Sequence, residues 1–124
     1  MLARPELDDT SHKMLAAADL LKKDGWCTHI RKNSLGERCL LGALDDITGT
    51  YQNTNRCHEA ANRLAAMLPL IESHSDVGKS EYWQGKLPTV WKIANWNNYV
   101  CKSAEEAANK LREAAYAPVK DQVY

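Results

Sequence analysis

The sequence predicts an all-α protein, a single small bundle of four to five helices joined by long loops. Three observations lead there. Apolar residues recur at helical spacing in several separate stretches, as Met14, Ala17, Ala18 and Leu21 do in the first. These stretches are bounded by residues that start or stop helices, among them Gly25, Gly49, Pro69 and Ser103. The alternation that marks a strand is confined to one short piece, where Trp26, Thr28 and Ile30 alternate with Cys27, His29 and Arg31. The 124 residues suit one domain over residues 1–124, whose core lacks phenylalanine and must draw on leucine, alanine, four tryptophans and five tyrosines.

Each helix has its own justification. "TSHKMLAAADLLKK" forms the first; Asp9, Thr10 or Ser11 can cap its start, and Gly25 stops it after Lys22 and Lys23. "NSLGE" then reads as a turn. The second helix, "ERCLLGALDDIT", ends at Gly49 and has Leu40, Ala43, Leu44 and Ile47 as its apolar stripe. Gly42 within it costs about 1 kcal/mol against alanine, which predicts a close-packed neighbour. The third, "RCHEAANRLAAML", takes Thr54 or Asn55 as cap and buries Cys57, Ala60, Ala61, Leu64 and Leu68. Residues 70–86 read as a long polar connection, the natural place for a binding loop. A short helix follows in "LPTVWKIANWNN", with Pro88 in its first turn and Asn95, Asn97 and Asn98 read as helix-ending, turn-forming residues. Ser103 and Glu106 make a capping box for the last helix, which has Ala104, Ala107, Ala108, Leu111, Ala114 and Ala115 along one side and ends at Pro118.

The run Gly25-Trp26-Cys27, the run Cys39-Leu40-Leu41-Gly42-Ala43, and Trp96-Asn97 ahead of a Ser103-capped helix belong together. In combination they resemble a family of small proteins of actinobacteria and their phages, known only as a domain of unknown function. The resemblance implies the helical fold and that biological context, and it brings no activity. It leaves residues 50–86 unmatched. Where the family pattern has aspartate after Trp-Asn, this chain has Asn98, so a role needing a carboxylate there is not supported.

The chemistry-bearing residues favour binding over catalysis. A tetrahedral zinc needs two close ligand pairs, and Cys27, His29, Cys39, Cys57 and His58 do not supply them. Buried cysteine acts as a small hydrophobe, so no metal and no cofactor are expected. Cys39 near a helix start is the best candidate nucleophile, but nothing local orients a histidine base for it. Asp45 with Asp46, and Glu105 with Glu106, point about 100° apart on their helices. No catalytic residue is assigned.

Sixteen basic and sixteen acidic residues cancel, which weakens the field a nucleic-acid binder uses. Lys22, Lys23, Arg31, Lys32 and Arg38 could still form a basic patch, so a small DNA- or RNA-binding regulator is the alternative. The segment between the second and third helices is too long for a helix-turn-helix. With no apolar run of signal or membrane length, the chain is expected in the cytoplasm with reduced cysteines. The expected function is non-enzymatic binding of another macromolecule, a protein first. Tyr82, Trp83 and Lys86 centre the expected site, with Tyr51 and Arg31 as neighbours.

Overall fold

A computed structural model describes residues 7–53 and 57–117. Among them are five helices, α1 (Asp9–Asp24), α2 (Leu40–Thr48), α3 (Glu59–Ala66), α4 (Thr89–Tyr99) and α5 (Ala104–Tyr116), with a 3-10 turn at Asp76–Gly78. No β-strand occurs among the described residues, where Arg38 makes isolated bridges to Trp26 and Lys32. The all-α class is therefore correct.

The long helices α1 and α5 pack on each other, and α2 leans on α1 from the other side. Their contact faces are rich in alanine: Ala17 and Ala18 on one side, Ala107, Ala108, Ala114 and Ala115 on the other, all buried. Small side chains bring the axes close, and Met14, Leu21 and Leu111 fill the remaining space with no exposed surface. α4 closes the bundle against α3 and α2, contributing Ile93 and Trp96 to the same core.

The helix starts differ from the sequence expectation in three places. α1 is capped by Asp8, whose carboxylate accepts from the Ser11 amide at 2.8 Å, and not by Asp9, Thr10 or Ser11. Arg63 holds Asp8 there through an ion pair, a long-range contact that local pattern could not show. α2 begins at Leu40 because Glu37 and Arg38 are drawn into an extended pairing: Arg38 N–H donates to Gly25 O and Cys27 N–H to Arg38 O, each at 3.0 Å. α3 begins at Glu59, capped by the His58 ring nitrogen accepting from Ala60 N–H at 3.1 Å. Cys57 therefore precedes the helix and is only half-buried; Thr54 and Asn55 lie outside the described residues, as does Pro118. The α5 start is as expected, with Ser103 Oγ accepting from Glu106 N–H at 3.1 Å and Glu106 accepting from Lys102 N–H at 2.7 Å.

Candidate functional site

The segment between α1 and α2 is irregular, yet α4 holds it by side-chain amides. Asn97 is completely buried. Its Oδ1 accepts from the Trp26 indole N–H at 2.8 Å and from Leu40 N–H at 3.1 Å, while its Nδ2 donates to Cys27 O at 3.2 Å. Asn98 Oδ1 accepts from His29 N–H at 2.8 Å and from Asn97 Nδ2 at 3.0 Å. His29 has a φ of +70°, uncommon outside glycine, and the Asn98 contact fixes it in that conformation. Asn95 does the same for the other loop, donating to Ile71 O at 2.5 Å. These asparagines are within α4, so the expectation that they end the helix is corrected. A carbonyl oxygen and an NH2 group on one buried side chain can satisfy several loop groups at once, which explains asparagine here.

Gly42 explains the close approach on the α2 side. A Cβ there would stand 1.9 Å from Arg31 O, so only glycine lets the loop lie across the first turn of α2. The Arg31 guanidinium donates to Asp45 at 2.5 Å and Gln52 O at 2.6 Å, and lies 4.0 Å above the Tyr51 ring.

Between this fixed loop and α4 opens a cleft of about 190 Å³. Ile30, Leu41, Val90, Trp91 and Ala94 give it apolar walls, with His29, Arg31 and Asn98 along its edge and Cys39 within. Cys39 is the N-cap of α2, its sulfur accepting from Gly42 N–H at 3.4 Å. Burial pushes its thiol above the ordinary value, and the amides of Gly42 and Leu41 do not overcome that. An activated thiolate at Cys39 is thus disfavoured, because desolvation of the charged form outweighs the helix N-terminus. Among the described residues no group of three or more His, Cys, Asp or Glu side chains is arranged to hold a metal ion.

A model for a family of unknown function (DUF6197) matches residues 6–117. The chain belongs to that family. Its span includes the cleft, both loops and all five helices, so residues 50–86, which the motif resemblance left unmatched, are part of the family domain. No curated protein and no solved structure matches the chain. No helix among the described residues is long and apolar enough to cross a membrane.

The residues singled out in the sequence fall into two groups within this family domain. Arg31 and Tyr51 stack on each other at the α2 side of the cleft; Tyr51 is 64% exposed. Tyr82 and Trp83 sit in the turn before α4, their rings 5.2 Å apart and edge to face, with Tyr82 58% exposed and Lys86 exposed. Trp83 is half-buried, and its indole N–H donates to Val77 O at 2.6 Å. Val77 precedes Gly78, where a Cβ would meet the Trp91 ring at 3.3 Å, and Trp91 and Arg31 both line the cleft. Sequence reading missed the cleft because residues 29–31 and 90–98 meet only in the fold. The Trp-Asn-Asn run, three large polar or aromatic residues in an otherwise amphipathic stretch, was the available signal.

Proposed function

We propose that this protein is a non-enzymatic binding protein that engages another protein through the face running from Tyr51 across the cleft to Tyr82. One observation carries the reading. Ile30, at 53% exposed, follows the Cys27 and His29 backbone that Asn97 and Asn98 hold, and Tyr51 and Tyr82 are large exposed side chains in loops. Rigid exposed aromatics lose little entropy on binding and are frequent interface anchors. The resemblance to proteins of actinobacteria and their phages makes the concrete version a phage-encoded protein acting in the cytoplasm on a host protein.

Charge pairing weighs against the nucleic-acid alternative. Arg31 is committed to Asp45, Arg38 to Asp24 and Asp46, Arg63 to Asp8 and Glu59, and Lys22 to Glu105. Phosphate binding at Arg31, Arg38, Arg63 or Lys22 would have to break these pairs.

Capture from host extract with immobilised protein tests the reading. Ile30→Asp should lose the captured protein at unchanged melting temperature, and Trp83→Ala should weaken capture by about tenfold or more. Capture that is equal for wild type and both variants would contradict it. Binding to mixed DNA and RNA that falls steeply with salt would favour the alternative.

A further inference from the structure

The two ends of the irregular segment between α1 and α2 each carry a cysteine, and backbone pairing brings those ends together. Arg38 N–H donates to Gly25 O and Cys27 N–H to Arg38 O, each at 3.0 Å, which makes Trp26 and Arg38 partners in a parallel bridge. Cys27 and Cys39 are the next residue on each side. Paired chains lie about 5 Å apart, and side chains alternate between faces along each, so residues aligned across a parallel pair share a face. A disulfide needs Cα atoms roughly 4.4–6.8 Å apart, a range this pairing meets. Neither Cys57 nor Cys101 has a cysteine beside it in a bridge among the described residues.

Electrostatics agree with that placement. Burial pushes the Cys27 thiol above its ordinary value, and the neighbouring Cys39 pushes it further, as like charges within reach of one another do. Access is unequal. Cys27 is half-buried and Cys39 only 6% exposed, so an oxidant reaches Cys27 first. As free thiols they make weak contacts: Cys27 Sγ lies 3.4 Å from both Ile30 O and Glu37 O, and Cys39 Sγ accepts from Gly42 N–H at 3.4 Å. Closing a disulfide gives up little else.

We propose that Cys27 and Cys39 form a reversible redox pair that takes a small-molecule disulfide as oxidant and staples the two ends of this segment. The Cys27 thiolate attacks one sulfur of the oxidant, whose other half leaves as a thiolate and takes up the proton that Cys27 lost. The Cys39 thiolate then attacks Cys27 Sγ in the mixed disulfide, and the second half leaves in the same way. Two protein thiols lose two electrons in all, and the oxidant is reduced to two thiols. Burial of both thiols makes the exchange slow near neutral pH and faster as pH rises. None of this depends on the protein-binding reading.

Oxidised glutathione added to the folded protein tests the pair. Remaining thiols are blocked with N-ethylmaleimide in denaturant, and trypsin, which cuts at Arg31 and Lys32 between the two cysteines, prepares peptides for mass spectrometry. The expected product has lost two hydrogens, keeps two of its four thiols, and yields one peptide pair joined through Cys27 and Cys39; dithiothreitol restores all four. Cys57→Ser and Cys101→Ser should form the same bond. Cys39→Ser, in which serine keeps the α2 cap, should stop at a glutathione adduct on Cys27. A bond that includes Cys57 or Cys101, or wild-type protein that stops at the adduct, overturns the proposal. So does folded protein that keeps four free thiols while an unstructured cysteine peptide in the same tube reacts fully. Should Cys39→Ser fail to fold, the wild-type linkage map decides alone.

Discussion

Asn97 and Gly42 hold the irregular segment in place, and each sets two effects against one another. Asn97→Leu would gain apolar burial but strand the Trp26 indole N–H, Leu40 N–H and Cys27 O, at about 1–3 kcal/mol for each group left unpaired. A net loss of about 3 kcal/mol or more in urea unfolding is expected. Asn98→Asp should be nearly neutral, because both contacts to its Oδ1 are donated to it and a carboxylate oxygen accepts them equally. The resemblance's aspartate at this position therefore needs no catalytic explanation. Gly42→Ala would gain about 1 kcal/mol in helix propensity. The Cβ would meet Arg31 O at 1.9 Å, so the variant should be destabilised nonetheless. A variant more stable than wild type would show that the loop does not rest on α2. Gly42 was legible in sequence as a packing position. The asparagines were not, because the groups they bind lie some 70 residues away in the chain.

Helices were legible where both the signal and its partner were local. α5 shows this: its Ser103 cap, Glu106 and alanine-rich face follow one another in sequence and all appear in the fold. α2 and α3 started later than expected, because Arg38 pairs with the end of α1 and Gln52 Oε1 accepts from His58 N–H at 2.5 Å ahead of the α3 cap. Neither tie can be read from periodicity. The α1–α5 pair carries the core, so Leu111→Ala, at a fully buried position, should cost about 2–5 kcal/mol in chemical unfolding. Asn109→Ala, exposed on the same helix, should change stability by about 0.5 kcal/mol or less. Similar costs for both would mean that α5 is not packed as described.

Across the whole molecule, charge balances while Arg31, Arg38 and Arg63 make ion pairs; among the described residues the exposed Lys32 and Lys86 have no carboxylate partner. The four cysteines are free, and burial is the largest influence on each, pushing every thiol above its ordinary value. The folded state therefore favours the neutral thiol. This stability is whole below the unfolded thiol pKa of about 8.5 and is lost as pH rises through and beyond it. Melting temperature should fall above that pH, and less steeply in Cys101→Ser, which removes one buried thiol; equal slopes would contradict the assignment.

The residues of the proposed binding face, Tyr51, Arg31, Tyr82 and Trp83, stand out in the sequence as loop residues. Its continuity is part of the proposal and could not be read there, because the cleft forms only where residues 29–31 meet α4. Site-specific photo-crosslinking in host extract tests that continuity most directly, with the crosslinker placed in turn at Tyr51, Tyr82 and Asn109. One and the same protein should be captured from positions 51 and 82 and not from 109 on α5. Different proteins from 51 and 82, or equal capture from 109, would contradict a single binding face.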